Sequence, residues 1–203
     1  LTISAKKYYL CRSYLYQNPE EISTMTLIAP LDKNDAQPAV KLKLEHIEKE
    51  HGMIPNCVGV MAHSNATLDM FINMESALAG GELSSTQREM IALAVSQANE
   101  CRYCVSAHTE FCSGLGLDTA DIIKSRLCEA DNPKDQVMLD LAVAIVENRG
   151  QVPEDLITSA RENGLTDNLI LEVFSNVINI MLGNYVNHLA RTEIDFPVCA
   201  LDL

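Results

Sequence analysis

Residues 84–108 read SSTQREMIALAVSQANECRYCVSAH. Ser84 or Ser85 followed by Gln87 is typical of a capped helix start, and the run over residues 90–98 is almost wholly apolar. A helix that is apolar on nearly every side is expected at the centre of a helical core. Asn99 either ends this helix or caps the next one.

The second half of this stretch carries a Cys-x-x-Cys pair, Cys101 and Cys104. Two cysteines three residues apart at a helix start have Cα atoms roughly 5 Å apart, which an unstrained disulfide accepts. His108 follows one turn later, on the same helical face as both sulfurs. Free amide groups and the helix dipole stabilise a thiolate in the first turn, where Cys-x-x-Cys thiols can have a pKa of about 7 or below.

The pair predicts redox chemistry, in which one thiolate attacks a peroxide oxygen, becomes a sulfenic acid and is captured by the other thiol as a disulfide. His108 is a candidate general base, because neutral imidazole accepts a proton near pH 7. Glu89, on the preceding helix, orients that imidazole if the two side chains face each other. Otherwise it pairs with Arg88 or is a surface charge.

Two other interpretations of the same residues stay open. Both cysteines could be buried small apolar residues without a chemical role. A zinc site made of Cys101, Cys104, His108 and Glu89 is the weaker alternative, because no second Cys or His pair stands at matching spacing. We expect no metal and no cofactor beyond the dithiol. Inert side chains are expected at the remaining cysteines considered, Cys57, Cys112, Cys128 and Cys199.

Helical patterns continue along the chain, and no convincing strand pattern interrupts them, so the predicted fold class is all-α. Gly80-Gly81 and Gly114 mark expected helix ends. Besides the helix over 84–98 and the one carrying the cysteines, which runs to Cys112, helices are predicted at residues 39–50, 64–79, 119–125, 133–148, 154–163 and 166–191.

Length and composition limit the functional classes. The 203 residues, 47% of them hydrophobic, suffice for one domain with a substantial core. A net charge of -13 argues against a nucleic-acid partner. Seven cysteines without an even framework favour a reducing cytoplasm. We also expect no signal peptide and no membrane span, since polar residues interrupt the apolar segment at 169–182.

The first 24 residues differ from the rest. They lack an initial methionine, carry four tyrosines and show no clean periodicity, whereas Met25 opens a more ordinary protein start. Residues 1–24 are therefore interpreted as an N-terminal extension upstream of a natural start at Met25, or as a real arm that packs on a neighbouring subunit. Residues 25–203 are predicted to form a single helical domain.

Three short motifs resemble the carboxymuconolactone decarboxylase superfamily in its alkylhydroperoxidase D-like (AhpD-like) branch. They are LSSTQRE at residues 83–89, CRYCVSAH at 101–108 and Gly116-Leu117, and the likeness in layout covers most of the chain from about Met25. The resemblance implies an oligomeric helical bundle acting as a peroxidase, with a site formed by the residues that match the family motif. Those residues are Glu89, Cys101, Cys104 and His108, with Cys104 attacking the peroxide and Cys101 resolving.

The resemblance breaks at Tyr103, where alkylhydroperoxidase D carries a further histidine before its second cysteine. A tyrosine donates a hydrogen bond but is a poor base at neutral pH. On the last helix, Asn184, Asn187 and His188 lie close around one face. Tyr103, Asn184 and His188 are accordingly candidate pocket residues.

The leading hypothesis is a cytoplasmic thiol peroxidase or disulfide oxidoreductase that reduces small hydroperoxides and is recycled by a thiol or dithiol reductant. Paired cysteines argue against lactone decarboxylation, but another acid–base reaction using His108 and Glu89 is an alternative. A redox-sensing oligomer without turnover is a third hypothesis. A homo-oligomer is expected because apolar faces at 90–98 and 169–182 need cover.

Overall fold

The computed structural model describes residues 25–203, so the expectations for residues 1–24 lie outside the described residues. The described part of the chain is all-α, which confirms the predicted fold class, and contains no strand. Its helices are α1 Pro38–His51, α2 Asn56–Met61, α3 Asn65–Ala79, α4 Ser85–Ala98, α5 Arg102–Gly114, α6 Thr119–Arg126, α7 Pro133–Glu147, α8 Glu154–Glu162 and α9 Asp167–Ala190.

Helix α4 occupies the centre of the fold, as its apolar sequence predicted. It contacts α5, α6, α7 and α9, and its side chains Ile91 and Val95 are fully buried against Leu139 of α7 and Val173 of α9. A capping box starts α4: the Ser84 hydroxyl accepts the backbone N–H of Gln87, whose side chain accepts the backbone N–H of Ser84. The helix that carries Glu89 is thus fixed at its start and along its length.

The connection from α4 to α5 places the cysteine pair. Asn99 ends α4, which was the first of the two alternatives that the sequence left open, and Cys101 is the N-cap residue of α5. Glu100 adopts a left-handed conformation with φ of 55°. Its N–H donates to Gln97 and the N–H of Cys101 donates to Ser96, which together form a Schellman motif. The end of one helix thereby fixes the start of the next.

Helix α2 was not predicted from the sequence. It has six residues, and Val58, Gly59, Val60 and Met61 are all buried, so no alternation between polar and apolar residues reveals it. A Cβ on Gly59 would lie 2.7 Å from Pro30 Cβ, so only glycine allows the preceding segment to pack this closely.

Helix α9 is, among the described residues, long and apolar enough to cross a membrane by length and composition, a test that core helices of soluble proteins also pass. It contacts α2, α3, α4, α5 and α7. Four asparagines are buried along it, at positions 176, 179, 184 and 187. Exposed apolar side chains occupy other positions of α9: Leu171, Phe174, Ile178, Tyr185 and Leu189.

Beyond α9, residues 191–203 form a C-terminal segment that crosses α5 and the start of α2. The Asp195 carboxylate accepts the backbone N–H of Asn56 at 2.8 Å, and the Ser106 hydroxyl accepts the N–H of Cys199 at 3.0 Å. Near the end of the chain, Arg126 donates to the carbonyl of Ala200 at 2.5 Å. This segment covers the part of α5 that carries the cysteines.

Candidate active site

The two sulfurs of the Cys-x-x-Cys pair lie together inside the protein. Cys101 and Cys104 are both thiols, they are 1% and 5% exposed, and the Sγ atoms are 2.9 Å apart with Cys101 donating to Cys104. Cys101 precedes the first turn of α5 and Cys104 stands at its third position, as the spacing predicted. The pair can therefore close into a disulfide with little movement of the backbone.

The surroundings make the two thiols unequal. The hydrogen bond from Cys101 is the largest cause that lowers the pKa of Cys104, to about 7; burial opposes it, and the charge of His108 and the amides of Asn187 and Asn184 assist it. The pKa of Cys101 is raised far above its ordinary value by that same hydrogen bond and by burial. Cys104 is thus the thiolate and Cys101 the thiol near neutral pH.

Glu89 faces His108, one of the arrangements that the sequence left open. Glu89 Oε2 lies 2.7 Å from His108 Nδ1, and the two side chains are only 22% and 17% exposed. Glu89 comes from the first half of α4 and His108 from the middle of α5, so the packing of these two helices makes the contact. The carboxylate fixes the orientation of the ring.

Burial alone would lower the pKa of His108, but the charge and hydrogen bond of Glu89, the charge of Cys104 and the charge of Glu75 raise it to about 9. The imidazole is therefore protonated at pH 7 and stands beside the Cys104 thiolate as a cation. This differs from the expectation of a neutral general base, because the sequence could not show how many anions surround the ring. In the resting protein, His108 can therefore act as a proton donor, not as a base.

Asn187 reaches the nucleophile from α9. Its Nδ2 donates to Cys104 Sγ at 3.2 Å, while its Oδ1 is buried without a hydrogen-bond partner. Asn184, one turn earlier, donates to Ser96 at 3.2 Å and accepts from Asn99 at 2.8 Å. These amides tie α9 to the turn that presents the cysteines, and one of them directly stabilises the thiolate.

The part of the chain that carries the thiol pair is similar to known proteins. Residues 65–127 match the model of the carboxymuconolactone decarboxylase family. This region is therefore similar to that family. The matched residues include all of α3, α4, α5 and α6, and hence Glu89, both cysteines and His108. The comparison with curated proteins gives no match.

Solved structures share the fold over most of the chain. A peroxidase-related protein from Silicibacter sp. TM1040 has a TM-score of 0.73 and 24% identity, with 85% of this chain and 94% of that chain covered. An AhpD-core, peroxidase-related protein from Ralstonia eutropha JMP134 has a TM-score of 0.73 and 23% identity over 83% and 93%. The debrominase Bmp8 has a TM-score of 0.73 and 18% identity over 85% and 94%.

Tyr103 has a structural partner within this AhpD-like fold. Its hydroxyl donates to Asp195 Oδ1 at 2.8 Å and accepts the backbone N–H of Cys57 at 3.1 Å, and its ring meets Phe196 edge-to-face at 5.8 Å. Burial is the largest cause that raises the pKa of Tyr103 far above the ordinary value. Tyr103 therefore stays neutral and holds the C-terminal segment.

The two remaining pocket candidates, Asn184 and His188, differ in burial. Asn184 is fully buried next to the site, whereas His188 is exposed on α9 and does not belong to the cluster that packs around the thiols. Within residues 25–203, no group of three or more His, Cys, Asp or Glu side chains is arranged to hold a metal ion. The zinc interpretation of Cys101, Cys104 and His108 receives no geometric support there.

Sequence reasoning missed Glu75 and underrated Asn187. Glu75 accepts from Asn179 at 2.5 Å, and its charge contributes to the raised pKa of His108. The available signal was the set of asparagines on α9: positions 176 and 187 are eleven residues apart and thus differ by only about 20° around the helix, with positions 179 and 184 on either side of them. Buried amides on an apolar helix need polar partners, and those of Asn179 and Asn187 are Glu75 and Cys104.

Proposed function

We propose that this protein is a thiol-dependent peroxidase that reduces small hydroperoxides through Cys104 and Cys101. The observation that carries the proposal is the asymmetric thiol pair, with sulfurs 2.9 Å apart, beside the ion pair of His108 and Glu89. A lowered pKa and a hydrogen bond from Asn187 favour Cys104 as the nucleophile. The reaction class accords with the AhpD-like, peroxidase-related proteins of similar fold.

In the first step, the Cys104 thiolate attacks the terminal, hydrogen-bearing oxygen of the hydroperoxide. An S–O bond forms, the O–O bond breaks, and the alkoxide leaves with both electrons of that bond. His108, protonated and held by Glu89, supplies the proton that converts the alkoxide to an alcohol. Cys104 becomes a sulfenic acid, and His108 becomes neutral.

In the second step, Cys101 captures the sulfenic acid. The sulfur–sulfur bond forms as the S–O bond breaks, and the hydroxyl leaves as water with the proton of the Cys101 thiol. Neutral His108 can now assist as the base that was expected from the sequence. A thiol or dithiol reductant must then return two electrons to the disulfide, and no other cofactor enters the cycle.

The test is a stopped-flow reaction of the reduced protein with cumene hydroperoxide, followed by disulfide mapping with mass spectrometry. Rapid loss of two thiols with a Cys101–Cys104 bridge is expected in the wild type, and none in Cys104→Ser. Cys112→Ser is the matched control, because Cys112 is a buried cysteine of the same helix in a different apolar cluster. Turnover by Cys104→Ser at the wild-type rate would overturn the proposal.

A second candidate, reductive dehalogenation, uses the same dithiol. The debrominase Bmp8 shares the fold, and a variant of Bmp8 with one cysteine replaced by alanine was solved in complex with 2,3,4-tribromopyrrole. Replacing an aryl bromide by hydrogen consumes the two electrons that a dithiol gives up on forming a disulfide, and it releases bromide. Bromide release from tribromopyrrole, without hydroperoxide consumption, would select this reaction. Activity that survives replacement of both cysteines would select acid–base chemistry at His108 and Glu89 instead.

A further inference from the structure

A third thiol stands beside the reactive pair. Cys57, the second residue of α2, packs against the apolar cluster formed by Cys101, Tyr103, Cys104 and Ala107. Its backbone N–H donates to the Tyr103 hydroxyl at 3.1 Å, so the contact between α2 and α5 fixes its position. From the sequence, an inert side chain is expected at Cys57, because it lies 44 residues before Cys101 with no spacing that links them.

The side chain of Asn187 connects the third thiol to the nucleophile. It donates to Cys104 Sγ at 3.2 Å, and it acts on the Cys57 thiol as a cause that lowers the pKa of that thiol against the larger effect of burial. The charges of Cys57 and Cys104 also act on each other. Asn187 is 5% exposed and keeps an unpaired Oδ1. Cys57 thus packs against the same small apolar cluster that contains Cys101 and Cys104.

We propose that Cys57 is a second resolving thiol, which captures the sulfenic acid of Cys104 as a Cys57–Cys104 disulfide. This inference rests on the proposed peroxidase function and adds a branch to its second step. The S–O bond of the sulfenic acid breaks, a sulfur–sulfur bond forms, and water leaves with the thiol proton of Cys57. The Cys57 sulfur is oxidised by as much as the Cys104 sulfur is reduced.

The electrostatics of the cluster keep the three roles distinct. Burial is the largest cause that raises the pKa of Cys57, to about 12, and the pKa of Cys101 is raised as well, while that of Cys104 is lowered. Only Cys104 is therefore a thiolate that can attack a hydroperoxide at pH 7. Cys57 and Cys101 both remain protonated thiols at pH 7, so either can react with the sulfenic acid of Cys104.

The branch makes the oxidised enzyme convertible between two forms. A Cys57–Cys104 bridge leaves Cys101 free next to Cys104, and attack by Cys101 would move the bridge to Cys101–Cys104 and release Cys57. This exchange needs no outside oxidant or reductant. It would protect Cys104 from over-oxidation to sulfinic acid whenever either resolving thiol is available.

The decisive experiment treats Cys101→Ser with one equivalent of cumene hydroperoxide, then adds dimedone and maps the products by mass spectrometry. The expected product is a Cys57–Cys104 disulfide. In Cys57→Ser/Cys101→Ser the sulfenic acid should persist, with about tenfold more dimedone adduct on Cys104. Cys101→Ser/Cys112→Ser is the matched control and should keep the disulfide, because Cys112 packs in a separate cluster.

The outcomes distinguish this inference from the function on which it rests. A stable Cys104 sulfenic acid in Cys101→Ser, with Cys57 still a free thiol, would overturn the inference and leave the peroxidase intact. Absence of any oxidation at Cys104 in every variant, wild type included, would overturn the function and the inference with it. Cys57→Ala/Cys101→Ala provides a second pair of replacements, and circular dichroism establishes that each variant is folded before it is oxidised.

Discussion

At the scale of single residues, the site works through opposite shifts in pKa on neighbouring groups. The pKa of Cys104 falls to about 7 and that of His108 rises to about 9, so between these values the thiolate and the imidazolium coexist. Glu89 stabilises the imidazolium through its hydrogen bond with His108 Nδ1. Hydroperoxide attack needs both ions, the nucleophile and the proton donor.

Glu89→Gln should therefore change the pH dependence of the enzyme. Removing the carboxylate removes a charge that raises the pKa of His108, whereas burial, which lowers it, remains. The imidazole then loses its proton at lower pH, and the alkaline limb of the kcat/KM profile for cumene hydroperoxide shifts toward neutral pH. At pH 8 we expect a loss of about tenfold or more, in line with the contribution of general acid catalysis.

A nitrogen-detected NMR titration of His108 checks the cause, since its pKa must fall in Glu89→Gln. Glu110→Gln is a matched control on the exposed surface of α5 and should leave the profile unchanged. An unaltered alkaline limb in Glu89→Gln would contradict the role assigned to this carboxylate.

The sequence could predict those parts of the site whose residues are close together along the chain. Cys101, Cys104 and His108 lie on one helix, so their spacing sufficed. Cys57 and Asn187 come from α2 and α9, and only the tertiary packing brings them to the sulfurs. The role of Tyr103 likewise depends on Asp195, 92 residues away. No local pattern encodes these distant contacts.

At the scale of elements, most helices follow from caps and apolar patterns in the sequence. The exceptions arise where the local signal was weak or ambiguous. Helix α2 is too short and too uniformly buried to show periodicity, and Asn99 could equally end α4 or start α5. The left-handed conformation of Glu100 was not predicted either, because the residue in this position of a Schellman motif is usually a glycine.

Glu100→Gly should stabilise the protein. Glu100 has φ of 55°, a conformation that glycine adopts freely but that costs other residues about 1 kcal/mol or more. We expect urea denaturation to show an increase of about 1 kcal/mol in the free energy of unfolding. Glu100→Ala is the matched control, since it removes the same carboxylate and keeps the strain. Equal stability of the two variants would place the effect in the charge and not in the backbone.

Tyr103→Phe should loosen the C-terminal segment without removing the reactive thiols. The change leaves the Asp195 carboxylate and the backbone N–H of Cys57 without their shared hydroxyl partner. We expect a loss of about 1 to 2 kcal/mol in unfolding free energy and faster hydrogen exchange in residues 193–199. Tyr185→Phe changes an exposed tyrosine on α9 and should show neither effect. Unchanged exchange in Tyr103→Phe would mean that Phe196 and the backbone contacts suffice to hold the segment.

At the scale of the whole molecule, one apolar surface is left uncovered by the described residues, 25–203. Leu171, Phe174 and Ile178 lie three to four residues apart on α9 and are 63%, 43% and 39% exposed. The last two, with Met74 and Leu78 of α3, line an apolar groove. A contiguous apolar surface of this kind is typical of an association site, and a patch that is both ridge and groove can pair with itself in a symmetric oligomer.

We therefore expect the protein to form a homo-oligomer through this surface, and Phe174→Glu to dissociate it. A buried carboxylate without a partner opposes association, because ionised groups are costly to remove from water. Light scattering coupled to gel filtration should give a mass above the 22.4 kDa of one chain for the wild type and close to it for Phe174→Glu. Leu42→Glu changes an apolar residue of α1 that is 69% exposed and should leave the oligomer intact.

A wild-type protein that stays monomeric at every concentration tested would refute the association. Dissociation by Leu42→Glu as well would show that the contact lies elsewhere or that added negative charge alone disrupts it, since the chain already carries a net charge of -13.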